Sequence, residues 1–159
     1  TQTISLSGSI MDAANMQGSI IRQGQASQVF NGQLTYTFGL PLQKFTANIG
    51  YNYNLNTIGS SDVLVMGPTL NLQKSMLQDK LQTVLALNVL RSENKSAQPA
   101  SFSTILNANL NASYQVSKKS QLSANILMLS TSDSGNEQVT TTPLPATIFT
   151  INFGYNYKF

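Results

Sequence analysis

The chain has no cysteine, no histidine and no tryptophan among its 159 residues, and only 9% of them are charged. Each shortage excludes something. Without histidine the commonest general base and the commonest metal ligand disappear together. Without cysteine there is no disulfide framework, a property that envelope proteins and cytosolic proteins can share. Charge at 9% falls far below the roughly 25% of ordinary soluble domains, and Asn, Gln, Ser and Thr fill the gap. No apolar run reaches the 18 residues of a transmembrane helix, whereas strands that cross a bilayer need only short alternating patterns. The pI near 9.3 rests on an excess of three positive charges, too few to indicate nucleic-acid binding. No phosphate-binding loop and no dinucleotide fingerprint is present.

What the sequence does contain is period two. Eight alternating stretches run over about 2–12, 28–40, 44–56, 62–74, 80–92, 101–116, 121–131 and 146–159, each near the length of a tilted spanning strand. Short connections at Pro41 to Gln43, Ser75 to Asp79 and Ser117 to Ser120 alternate with longer or more polar ones. The latter are Ala13 to Ser27, Thr57 to Ser61, Glu93 to Ala100 and Ser132 to Pro145. One domain over 1–159 is expected: an all-β, antiparallel, up-and-down transmembrane β-barrel with eight strands in this chain. It is either a closed small barrel or the C-terminal strands of a larger one.

The aromatics choose a face. Phe30, Tyr36, Phe38, Phe45, Tyr51, Tyr53, Phe102, Tyr114, Phe149, Phe153, Tyr155, Tyr157 and Phe159 all fall in the apolar row of their strand. Random placement would achieve this about once in 500 by two-fold alternation. The expectation is a lipid-facing row with interfacial girdles near the strand ends. Opposite it, Asn48, Asn52, Asn107, Asn109, Asn111 and Asn156 head the polar rows expected to line a lumen, where Gly50, Gly67 and Gly154 relieve crowding. Val63, Val65, Val84, Ala86, Leu90, Leu127 and Leu129 make part of that inner wall apolar.

The last strand resembles the C-terminal signal strand of bacterial outer-membrane β-barrels: a polar residue, Gly two places on, then two aromatics at alternate positions, here Asn152, Gly154, Tyr157 and Phe159. The resemblance implies insertion by the barrel assembly machinery, residence in a bacterial outer membrane among its lipids, and a periplasmic C-terminus. Contacts with other subunits of an outer-membrane complex stay open. Counting back from Phe159 then puts every short connection in the periplasm. In texture, the Asn-rich strands and basic turns are similar to outer-membrane proteins of the Bacteroidetes type, which often append a barrel to a long N-terminal region. No basic and apolar leader precedes the first strand, so either the mature chain begins at Thr1 or further strands precede it.

Charge collects at the strand ends. Lys44, Lys74, Lys80, Lys118, Lys119 and Lys158 lie toward the periplasmic rim with Asp79. The opposite rim carries Asp12, Asp62, Glu93, Asp133 and Glu137 against Arg22, Arg91 and Lys95. The basic ring reads either as solvated turn residues or as a holder of anionic headgroups. Ser117 and Ser120 beside Lys118 and Lys119 are one example of a Ser–Lys arrangement, but they sit in a tight turn, and the loop acids lie mostly on different loops. No catalytic, cofactor or metal site is expected. The leading function is a non-catalytic membrane anchor or scaffold displaying external loops for binding. The alternatives are the wall of a larger porin- or transporter-type barrel and a soluble lipocalin-like barrel with a small apolar ligand.

Overall fold

The computed structural model describes residues 1–13, 16–17, 20–21, 27–59, 61–96, 101–134 and 146–157. Ten strands follow one another: β1 (Gln2–Ala13), β2 (Met16–Gln17), β3 (Ile20–Ile21), β4 (Ser27–Leu40), β5 (Phe45–Ile58), β6 (Ser61–Met76), β7 (Leu81–Asn94), β8 (Ser101–Ser117), β9 (Ser120–Ser134) and β10 (Ala146–Tyr157). Eight of them form one antiparallel up-and-down sheet in the order β1-β4-β5-β6-β7-β8-β9-β10, while β2 and β3 pair as a separate small hairpin. The eight main strands coincide with the eight alternating stretches of the sequence, with ends displaced by up to three residues where both are described. Two local readings change. The connection read as Thr57 to Ser61 is a tight turn between Ile58 and Ser61, opened by the positive φ of Gly59. The hairpin at 16–21 falls where only a loop was expected.

The sheet is open, which corrects the expectation of a closed small barrel: β1 and β10 are its two edges and do not pair with each other. Its inner side chains also bond along the wall rather than across it. Asn125 Nδ2 donates to Asn109 Oδ1 at 3.1 Å and to Asn111 Oδ1 at 2.6 Å, and Thr37 Oγ1 donates to Asn48 Oδ1 at 2.8 Å.

Because directly paired residues of an antiparallel ladder share a face, register fixes both faces without reference to any single strand. Ile4, Tyr36, Ile49, Leu70, Leu87, Ala108, Met128 and Phe149 form one row across the whole sheet. Thr46, Gln73, Val84, Asn111, Asn125 and Asn152 form a row on the other side. Among the described residues no second layer covers either face. The only buried hydrophobic side chain among the described residues is Leu64, at 5% exposure. The molecule exposes 11588 Å², against about 7800 Å² for a compact globular protein of this mass.

Two features bend or strain the sheet. In β6 the ladder to β7 breaks between Met66↔Arg91 and Thr69↔Asn88. Pro68 has no N–H to give there, and a Cβ on Gly67 would stand 1.8 Å from the carbonyl oxygen of Val89, so only glycine admits that approach. The β6–β7 turn is strained differently: Leu77, Gln78 and Asp79 all have positive φ, at 53°, 56° and 69°, and each non-glycine residue in that region costs about 1–2 kcal/mol. Gln78→Gly is expected to stabilise the fold by about 0.5–1 kcal/mol, the relief less glycine's own entropy cost. A denaturation midpoint that falls instead would show that the turn is held for another reason.

Candidate functional site

The candidate site is the pair of faces itself and the rim where the short turns meet. On the apolar face the register gathers all twelve described aromatics: Phe30, Tyr36 and Phe38 from β4, Phe45, Tyr51 and Tyr53 from β5, Phe102 and Tyr114 from β8, and Phe149, Phe153, Tyr155 and Tyr157 from β10. Phe159, the last member of the sequence motif, and Lys158 lie outside the described residues. Most of these rings do not meet one another. Phe30 and Tyr53 form one edge-to-face pair at 5.8 Å over the bare backbone of Gly32, where a glycine without a side chain leaves room for a neighbour's ring. Tyr36, Phe38 and Phe45 are half-buried, while Tyr51, Phe149, Phe153 and Tyr155 are exposed, up to 83% at Phe153. Arg91, on this same face near the loop end, lays its guanidinium 4.8 Å from the centre of the Phe102 ring, a contact that keeps a cation compatible with aromatic surroundings.

Two hollows are lined mainly from the amide face, which marks it as the concave one; the hollow of about 340 Å³ is lined by Ser7, Ser9, Asn31, Gln33, Asn52 and Asn54 among others. The expected lumen residues Asn48, Asn52, Asn107, Asn109, Asn111 and Asn156 all belong to this face. Val63, Val65, Val84, Ala86, Leu90, Leu127 and Leu129 belong to it too, as the alternation predicts. Asn31 anchors a small network, accepting from Asn54 and donating to Ser9 Oγ at 3.3 Å. Among the described strand residues this face carries one ionisable group, Asp133 at its loop end. The strand charges Asp12, Asp62, Lys74, Arg91 and Glu93 sit on the aromatic side, toward the strand ends.

The basic rim forms at the end that carries the β4–β5, β6–β7 and β8–β9 turns. The turn between β4 and β5 is a 3₁₀ turn over Pro41–Gln43, closed by Lys44 in the left-handed region with its N–H on Pro41 O at 3.1 Å. Lys44 pairs with Asp79 of the next turn, and the backbones continue the stitching through Ser75 N–H to Lys44 O at 3.0 Å and Gln115 N–H to Lys80 O at 2.7 Å. Both partners of the ion pair are about half exposed, so it adds little to stability. Lys80, Lys118 and Lys119 border the larger hollow, of about 410 Å³. Gln82, Ser113, Gln115, Gln121 and Asn156 line it from the concave face. Val116 is the extra residue of a bulge between Gln115 and Ser117, which re-aims the end of β8 beside this hollow.

Sequence reasoning placed these lysines on one rim but did not find that three of them share a hollow with strand amides. That requires knowing that β7, β8, β9 and β10 are consecutive neighbours. Ser117 and Ser120 hydrogen-bond to each other at 2.6 Å, and no contact joins either hydroxyl to a lysine ammonium among the described residues. No group of three or more potential metal ligands exists among the described residues either. In Asn152, Gly154 and Tyr157 the terminal motif keeps the alternation of β10: the first two lie on the concave face and the tyrosine on the aromatic one. No family model, no curated protein and no solved structure matches the chain.

Proposed function

We propose that this sheet is a stretch of the wall of a bacterial outer-membrane β-barrel wider than eight strands, without catalytic function. Its convex aromatic face meets acyl chains and its concave amide face meets water. One observation carries the reading: eight paired strands turn every described aromatic to one exposed face and keep the opposite, hollow face almost free of charge. A soluble protein would leave that apolar area in water at a cost of about 25 cal/mol per Å², and a lipocalin-like barrel would turn it inward.

The width follows from the edges. A twelve-residue edge strand such as β10, which carries Phe149, Phe153 and Tyr155 and has no described charge, is a template for further pairing. In a bilayer its backbone groups must find partners. The C-terminal resemblance supports the outer membrane as the location, with the short turns and their lysines in the periplasm, and the barrel assembly machinery as the partner in biogenesis. The loop end opposite them is then the surface at which external partners would bind.

Extraction only with detergent, together with a folded form that migrates differently on gels before and after boiling, is the expected behaviour. A monomer stable in plain buffer excludes the membrane reading. Width has its own test. Flush closure of β1 on β10 would set Ser7 opposite Asn152, and a two-residue stagger would set Ser9 there. The chain has no native cysteine, so the variants Ser7→Cys with Asn152→Cys, and Ser9→Cys with Asn152→Cys, report cleanly. Neither pair should form an intramolecular disulfide in the folded protein, because bridging needs Cα atoms within about 7 Å. An efficient internal crosslink in either would restore the closed eight-stranded barrel.

A further inference from the structure

We infer that the hollow at the short-turn end of the concave face is a binding site for a small, soluble, multivalent oxyanion of the phosphate or polycarboxylate class. Its volume, about 410 Å³, lies within the roughly 300–1,000 Å³ range of small-molecule clefts. Its charge is one-sided. Lys80, Lys118 and Lys119 line its border, and the one carboxylate among its described lining residues, Asp79, is engaged by Lys44 of the neighbouring turn. The wall supplies neutral hydrogen-bonding groups between these charges. Gln82, Gln115 and Asn156 present amides and Ser113 a hydroxyl, so an anion held by the lysines would meet donors rather than competing carboxylates.

The side of the sheet decides the source of the oxyanion. A phospholipid headgroup offers the same phosphate chemistry, but its acyl chains belong against the aromatic face, and Gln82, Ser113, Gln115, Gln121 and Asn156 of this hollow are on the other one, with Ser117, Ser120 and Tyr157 of the aromatic side only at its rim end. That placement on the water side rests on the membrane-wall reading above, whereas the binding itself does not. If the concave face lines a lumen, the site stands at its periplasmic mouth and would favour anions in transit, as rings of lysine do in pores.

The test is calorimetric titration of inorganic pyrophosphate into the protein folded in a zwitterionic detergent at low ionic strength. Saturable binding that weakens as salt is added is expected. The triple variant Lys80→Gln, Lys118→Gln, Lys119→Gln should bind at least about tenfold more weakly, and the corresponding triple Lys→Arg variant should retain affinity. Folding of each variant is checked by the gel shift on boiling, so a failure of the membrane reading registers there and not in the titration. Absence of saturable binding by the unaltered protein, or equal affinity in the glutamine variant, overturns the assignment. A parallel arm compares nanodiscs of phosphatidylcholine with and without phosphatidylglycerol. Lysine-dependent preference for the anionic lipid without pyrophosphate binding overturns it in favour of a headgroup site.

Discussion

Leu34→Arg lowers the folding free energy in lipid vesicles by about 2–4 kcal/mol, the cost of arginine on a lipid face near the bilayer midplane. Gln33→Arg, one residue away, leaves it within about 1 kcal/mol. Both positions lie at the middle of β4, between Leu6 and Tyr51 for the first and between Ser7 and Asn52 for the second, so strand, height and the introduced side chain are shared while the face differs. Exposure makes the comparison decisive. Leu34 is 50% exposed in the isolated chain, and on an ordinary aqueous surface such a substitution would change stability by no more than about 0.5 kcal/mol. A large loss at 34 with tolerance at 33 therefore requires an apolar solvent against the aromatic face and water against the amide face. Urea titration of vesicle-folded protein measures both. Equal tolerance at the two positions would remove the membrane reading, and the reverse asymmetry would invert the wall.

The faces were legible in the sequence because a period of two is a local property: once Asn48 and Tyr51 are known to alternate, no distant contact is needed to put them on opposite sides. Even the mixed strands were readable, and Val63, Leu90 and Leu127 stand on the amide face where alternation predicts them. Strand ends were less legible. Ile58 and Ser61 extend the ladder into what reads as polar loop, because Gly59 takes the positive φ with which a tight hairpin turn begins. The hairpin over 16–21 is too short to show periodicity. Curvature was not legible at all. Whether β1 reaches β10 depends on the turn summed over seven interfaces between residues more than a hundred positions apart, and no local pattern encodes that sum. The oxyanion hollow was missed for a related reason, since Lys80, Gln121 and Asn156 become neighbours only through the pairing of four strands.

Gly67→Ala is the substitution expected to damage the fold most for its size, with a loss of about 3 kcal/mol or more, at the upper end for overpacking. The methyl would arrive 1.8 Å from Val89 O, 2.9 Å from Val89 C and 3.1 Å from Leu90 Cα. All three atoms are backbone, so no rotamer change can make room and β7 itself has to move. The neighbouring Pro68 makes the same seam intolerant, because the ladder bond that Val89 O would take from residue 68 cannot form there in any case. Two other glycines calibrate the prediction. At Gly8 the new methyl meets only Asn31 O at 3.5 Å, ordinary contact, and Gly8→Ala should be neutral or stabilising by up to about 1 kcal/mol. At Gly154 the obstacle is Ser123 Oγ at 2.6 Å, the end of a side chain that can rotate away from its 3.4 Å bond to Gly154 O, so the cost is that of one exposed hydrogen bond, about 1 kcal/mol. Unfolding of the three variants side by side should therefore rank Gly67 far above Gly154 and Gly154 above Gly8. If Gly67→Ala unfolds no more easily than Gly8→Ala, the β6–β7 seam is not pinned by this approach, and the break in its ladder then rests on Pro68 alone.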